Sequence, residues 1–200
     1  MSQDKPTIPL VDGTDLSFAV VAARYNNDLV ETLLKRVRAT LRKARVSDSS
    51  IKVLRVPGAA ELPYVANMLA QTSEYACVIV LGVIIAGETN HHEVLANSTA
   101  VALQGIALQS EVPVINGILT VNSREQAEAR ASGELDRGAE FANAALEMAW
   151  HHVQLGDYLD ALDAEAEREE QAHEADEFSD FDDDGDSDDF GTGRSPFQHN

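Results

Sequence analysis

Four short apolar runs constrain this chain more than any other feature: FAVVAA (18–23), IKVLRV (51–56), CVIVLGVI (77–84) and PVINGIL (113–119). Three of them are rich in valine and isoleucine with little alternation, the pattern of parallel strands covered on both faces. Helical stretches lie between. Residues 27–45 place Leu29, Leu33, Val37 and Leu41 at steps of four, with Arg36, Arg38, Arg42, Lys43 and Arg45 on other faces. Residues 61–71, 90–109 and 137–153 also read as helices. NSREQAEARA opens a shorter one, with Ser123 as N-cap and Gln126 completing a capping box. The order β-α-β-α-β-α-β-α-α predicts an α/β fold. It has three αβα layers, with helices on both faces of a four-stranded parallel sheet wound right-handedly.

Charge divides the chain. The net charge is −19, and residues 151–200 hold 17 acidic residues against Arg168 and Arg194. Residues 1–150 are nearly balanced and carry no lysine- or arginine-rich face of the kind that binds nucleic acid. A domain is therefore expected over 16–156, followed by an acidic tail over 157–200. DYLDALDAEAEREEQAHEADE could form a polar helix. FSDFDDDGDSDDFGTGRSPFQHN buries too little to order itself. Phe178, Phe181 and Phe190 within the acid suggest a docking motif; a solubilising tail is the plainer reading. Residues 1–15 are expected to be disordered or to add an edge strand to a neighbour. They show no apolar core of signal-peptide length, and no run approaches the roughly 18 apolar residues of a membrane span, so a cytoplasmic location is expected. The single cysteine, Cys77, excludes a disulfide within the chain and reads as a small buried hydrophobe.

In open parallel sheets, ligands bind beyond the carboxyl ends of the strands. Here each strand leads into an unusual loop: RYNN, VPGAAELP, IIAGETNHH and INGILTVNS. The stretch IIAGETNHHEVLA (84–96) has three competing readings: a metal site, an anion-binding catalytic turn, or a loop with two solvated histidines. A zincin helix needs a second histidine where this chain has Ala96, which weakens the metal reading. No P-loop or dinucleotide fingerprint follows a strand. Thr89, however, is a natural N-cap, and the free N–H groups of a first helical turn accept anions. A helix terminus contributes roughly 0.3–1 kcal/mol to a nearby anion, whereas micromolar binding needs about 8 kcal/mol. A cationic partner should therefore exist. No lysine or arginine lies between Arg55 and Arg124, so Arg124, Arg130 and Arg137 are the later candidates. An imidazole can move protons either way near neutral pH, yet a lone histidine is more often structural.

Taken together, the loops resemble one family, lumazine synthase of the riboflavin pathway. RYN resembles its arginine-aromatic-asparagine loop, VPGAAELP its P-G-A-x-E-[IL]-P loop, and LGVIIAGETNHHEVLA its G-x-V-I-x-G-x-T-x-H signature. PVINGILT with EQAEARA resembles its fourth strand and arginine helix. The resemblance covers about residues 16–150 and implies a flavodoxin-like sheet. It implies condensation of 5-amino-6-ribitylaminouracil with 3,4-dihydroxy-2-butanone 4-phosphate to 6,7-dimethyl-8-ribityllumazine, the penultimate step of riboflavin synthesis. Phosphate and water are released, without metal or organic cofactor. It further implies homopentamers, in some members closed into 60-subunit shells, with active sites between adjacent subunits.

By position, Tyr25 would stack on the pyrimidine. Ala59, Ala60 and Glu61 would line the ribityl side, and Val83, Ile84 and Ile85 would offer backbone to the uracil. Glu88 and Thr89 would bind phosphate, and His91 would shuttle protons. From the neighbouring subunit, Asn116 would meet the pyrimidine and Arg130 would clamp the phosphate, with Arg137 near a supporting basic position. Tyr25 stands where the family commonly has phenylalanine, and Ala60, His92 and Asn116 stand at frequently aromatic places. Ala86 takes the place of a common basic residue, and the stretch from Arg130 to Arg137 is about one residue short. Two alternatives remain: a cage protein of the same fold that recruits partners through its tail, such as riboflavin synthase or a basic cargo, and dismutation of lumazine to riboflavin.

Overall fold

The structure, a computed structural model, describes residues 10–133 and 135–179. The strands are β1 (Phe18–Ala23), β2 (Ile51–Val56), β3 (Cys77–Ile85) and β4 (Val114–Val121). All pair in parallel, in the order β2-β1-β3-β4. The helices are α1 (Asn27–Lys43), α2 (Leu62–Ala70), α3 (His91–Ser110), α4 (Arg124–Ala131) and α5 (Arg137–Ser179), with short 3-10 turns at Asp48–Ser50 and Ala59–Glu61. This is the expected three-layer α/β sandwich, and the strand order is that of flavodoxin-like sheets.

Side-chain alternation divides the core in two. Phe18, Val20 and Ala22 of β1, with Cys77, Ile79, Leu81 and Val83 of β3, face α1, α4 and α5. Ala19, Val21 and Ala23, with Val78, Val80 and Ile84, face α2 and α3. Every residue of β1 is buried, which explains why its sequence lacks a polar register. Each aliphatic side chain so buried contributes roughly 1.5–3 kcal/mol. Helix α1 fits this surface because Leu29, Leu33, Val37 and Leu41 fall on one face, with Val30 and Leu34 beside them. On the opposite side, Pro63 opens the first turn of α2, where its missing N–H costs no helical bond.

Glycine allows two close approaches. A Cβ on Gly117 of β4 would lie 2.6 Å from the Val80 carbonyl oxygen, and one on Gly138 of α5 would lie 2.6 Å from Cβ of Arg36. Helix α5 thus starts tight against α1. Asp136, just before it, accepts hydrogen bonds from Arg36 Nε at 2.9 and 3.0 Å.

Three differences from the sequence reading have physical causes. Thr89 is not the N-cap of α3: Asn90 is, and its carbonyl accepts from Glu93 and Val94 at 3.1 and 3.3 Å. The Thr89 carbonyl instead meets the ring of His92. Ser123 does cap α4, accepting from the Gln126 N–H, but the Gln126 side chain reaches past it to the Asn122 N–H at 3.0 Å. Finally, α5 continues beyond residue 153 to Ser179, through alanine, leucine and glutamate that favour helix. A boundary between two compact units falls between Gly156 and Asp157. Residues 1–9, Phe181, Phe190 and the rest of the tail beyond 179 lie outside the described residues. Among the described residues, no helix is long and apolar enough to cross a membrane.

Candidate functional site

Because all four strands are parallel, Ala23, Val56, Ile85 and Val121 end at one edge of the sheet. The chain leaves β1 toward β2 on one side, while β3 and β4 lie on the other. The gap between the ends of β1 and β3 is the topological switch point, where open α/β sheets bind ligands.

The loop after β1 ties its neighbours together. Arg24 N–H donates to the Val56 carbonyl at 2.9 Å and Tyr25 N–H to the Pro57 carbonyl at 3.2 Å. Asn26 takes the left-handed conformation, with φ 52°, a region asparagine tolerates better than most residues. Its side-chain amide donates to the Val83 carbonyl at 2.9 Å. The Tyr25 ring stays 74% exposed. It lies over Gly58, where an added Cβ would be 3.1 Å from ring carbon Cδ2. One Glu61 carboxylate oxygen accepts from the Gly58 N–H at 2.8 Å and so closes its own loop. A carboxylate keeps further acceptor capacity after one such bond. Ala59 is buried and Ala60 exposed.

Strand β3 outruns β1. The β1–β3 ladder ends at Ala22 and Leu81, while pairing with β4 continues through Val83, Ile84 and Ile85 to Val121. Beyond Leu81, β3 is therefore outside the β1 ladder, and on that side the Val83 carbonyl is held by the Asn26 side chain. The next turn leads into α3. Glu88, Thr89 and His91 are exposed, His91 being the first residue of the helix. His92 is half-buried, its Nδ1 3.0 Å from the Thr89 carbonyl. Nothing lies within 4 Å of where a Gly87 Cβ would be. Helix α3 packs against the Ala59–Glu61 turn, which joins this turn to the Tyr25 and Glu61 loops. One continuous edge thus holds Tyr25, Ala59–Glu61, Val83–Ile85 and Glu88–His91.

Three expected residues sit elsewhere in the chain. Asn116 pairs with Val80 in mid-strand, five residues before the end of β4, about 16 Å away at roughly 3.3 Å per residue. Its side-chain oxygen accepts from the Ile118 N–H at 3.1 Å. Arg130 lies on α4, in the opposite helix layer from α3, and donates to the Gln126 carbonyl at 3.0 Å. Arg137, at the start of α5, pairs with Glu140. Two residues do more than the sequence reading assigns them: Asn26, which lies within RYN, and Arg55, which enters there only as the last cation before a stretch without lysine or arginine. Among the described residues, no group of three histidine, cysteine or acidic side chains is placed to hold a metal. Two cavities among the described residues, of about 580 and 660 Å³, open beside Leu10–Asp12, the first against Glu147, Trp150 and His151 of α5 and the second against α5 and the later part of α1.

A family profile described as 6,7-dimethyl-8-ribityllumazine synthase matches residues 15–152. A curated relative of that name from Xanthomonas euvesicatoria pv. vesicatoria is 41% identical over 136 residues, 68% of this chain and 88% of the relative. One from Xylella fastidiosa is 42% identical over 132 residues, 66% of this chain and 86% of its own length. One from Stenotrophomonas maltophilia is 44% identical over 132 residues, 66% and 85% of the two chains. The profile spans all four strands and every loop of the edge just described, and the chain belongs to the 6,7-dimethyl-8-ribityllumazine synthase family.

Proposed function

We propose that this chain is an active lumazine synthase, a transferase that condenses 5-amino-6-ribitylaminouracil with 3,4-dihydroxy-2-butanone 4-phosphate and releases phosphate and water. The observation that carries the reading is the open stretch Val83–Ile85 at the switch point, beside an exposed aromatic ring, in a chain of this family. A uracil ring is flat and carries donors and acceptors on its edge. It can pair with strand backbone while Tyr25 covers its face, an arrangement aromatic rings favour in offset geometry. Glu61 then accepts from ribityl hydroxyls, with Ala59 and Ala60 beside it. Glu88, Thr89 and the first-turn N–H groups of α3 receive the phosphate. His91 moves protons as the imine forms and phosphate leaves.

Magnitudes apportion the work. Holding two substrates in a reactive geometry supplies roughly 7–11 kcal/mol. General acid–base help, about 100- to 10,000-fold, supplies roughly 3–5 kcal/mol. Positioning dominates, so a chain with an intact edge and a weakened proton shuttle still turns over.

Family membership implies two small-molecule substrates and a homo-oligomer. We infer a pentamer whose neighbouring subunit brings Asn116 and Arg130 to the edge. The mid-strand position of Asn116 and the position of Arg130 in the opposite helix layer from α3 support this reading. So do Val94, Val101 and Leu108, exposed at seven-residue steps along α3, with Tyr64 and Met68 on α2. A hydrogen bond from Arg130 to the phosphate would add roughly 1.5–3 kcal/mol. Arg137, already paired with Glu140, is given no direct part.

The test is turnover: both substrates are mixed with the purified oligomer and lumazine formation is followed by absorbance, less the uncatalysed condensation. A rate well above background establishes the synthase. No excess rate from an assembled oligomer overturns it, and a cage role recruiting basic partners through the acidic tail then leads.

A further inference from the structure

Arg55 holds the loop that carries Tyr25. It lies on β2 opposite Ala22, one residue before the strand ends. One of its terminal nitrogens, Nη2, donates both to the Ala23 carbonyl at 2.9 Å and to the Asn27 side-chain oxygen at 2.6 Å. The other, Nη1, pairs with Glu31 on α1. The Arg55 carbonyl in turn accepts from the Arg24 side chain at 3.5 Å. Ala23 is the last residue of β1 and Asn27 the first of α1, so a single planar group grips both ends of the turn Arg24–Asn26.

An arginine near an active edge invites reading as an anion clamp. The geometry points elsewhere. Glu31, Ala23 and Asn27 already face its terminal nitrogens, and its side chain is only 24% exposed. Its Nε is buried without a partner among the described residues. Such a group is oriented by the turn it spans. The turn has reason to need it: Asn26 is held in the left-handed region, and the Tyr25 ring is largely in solvent with only Gly58 beneath it. The backbone bond from Tyr25 to Pro57 and the Asn26 bond to Val83 fix the middle of the turn. Arg55 fixes its ends.

We propose that Arg55 is a positioning residue for the ring-bearing substrate: by spanning Ala23 and Asn27 it sets the pose of the Tyr25 ring over the pyrimidine. The proposal rests on the synthase reading of Tyr25 given above. A displacement of the ring of the order of 1 Å is expected to cost about 10- to 100-fold in the efficiency of using that substrate. The donor fork is what matters, because a lysine offers a point charge and cannot span the same two oxygens and Glu31 at once.

Steady-state kinetics of R55M, R55K, Y25L and the double variant R55M/Y25L, with oligomer size and Tm recorded, tests it. R55M is expected to raise KM for the ribitylaminouracil while leaving KM for the butanone phosphate unchanged. R55K should recover part of the loss. In the Y25L background R55M should have little further effect, because both act through one contact. Equal loss toward both substrates, or full additivity of R55M and Y25L, overturns the positioning role and leaves Arg55 a general stabiliser. If Y25L leaves KM for the ribitylaminouracil unchanged, the stacking role of Tyr25 fails instead. If R55M does not assemble, R55K and N27A, which removes one of the two gripped oxygens, carry the same comparison.

Discussion

His91 begins α3 and is exposed to solvent, so its replacement leaves no hole in the core. His91→Ala is expected to lower kcat by about 100- to 10,000-fold with unchanged Tm and oligomer size, and with residual turnover above the uncatalysed rate. Complete loss from an assembled oligomer would contradict the dominance of positioning. Arg130→Ala should act on the other substrate, raising KM for the butanone phosphate and sparing that for the ribitylaminouracil. An unchanged KM for the phosphate substrate sinks the clamp. Cys77 stands at the opposite extreme. It is buried between β1 and β4, and burial pushes its thiol well above the ordinary range. Thiol reagents should therefore leave the native protein unlabelled and modify it once denatured. Its character was legible in CVIVLGVI because an apolar run on both sides admits little else. Asn26 was not legible as a tie to β3: its left-handed backbone and its reach to Val83 depend on a strand that lies 57 residues away in the chain.

At the level of elements, the strands could be read closely because their apolar runs are short and sharply bounded. Helix ends were harder. Thr89 and Asn90 are both good caps by type, so residue type alone does not choose between them, and the helix takes Asn90. The tight start of α5 against α1 was also hidden, since nothing local in DRG announces Leu33 or Arg36. Gly138→Ala should test that contact: its Cβ would lie 2.6 Å from Cβ of Arg36 and 2.8 Å from the Leu33 carbonyl. Crowding of this kind costs about 1–3 kcal/mol, seen as a lower urea midpoint with unchanged slope. Beside it, the Arg36 hydrogen bond holds the Asp136 carboxyl below its ordinary value. A carboxylate depressed in the fold stabilises it above the unfolded-chain value and loses that contribution as pH falls through the depressed one. Asp136→Asn should therefore lower stability at neutral pH and flatten the loss in acid. An identical acid limb in both proteins would remove this pair from the account.

The whole molecule poses the question of assembly. Leu108 is 83% exposed and shares a row with Val94 and Val101, a face that one chain alone leaves in water. Val101→Glu should yield a smaller species by sedimentation with unchanged circular dichroism, and turnover should fall with it, because the proposed shared site would lose the neighbour's Asn116 and Arg130. Retention of full activity in that smaller species would overturn the shared site. The sequence carried the layers and most of the edge, because parallel topology obliges the four loops to gather. Its residues by themselves do not say which surfaces of two copies meet; only the family resemblance pointed to Asn116 and Arg130 coming from a neighbour. The overhang of β3 has a further consequence. Open strand backbone is also a template for foreign strands, and proteins commonly guard it. Here the stretch of β3 outside the β1 ladder, Gly82–Ile85, is four residues long, against a usual strand of about five or six. It also lies within the sheet, between β4 and the Asn26 side chain, rather than along an outer margin. A flat ring can enter such a notch. An extended polypeptide cannot gain enough pairing there to stay, so a short hydrogen-bonding edge is left at the switch point without inviting aggregation.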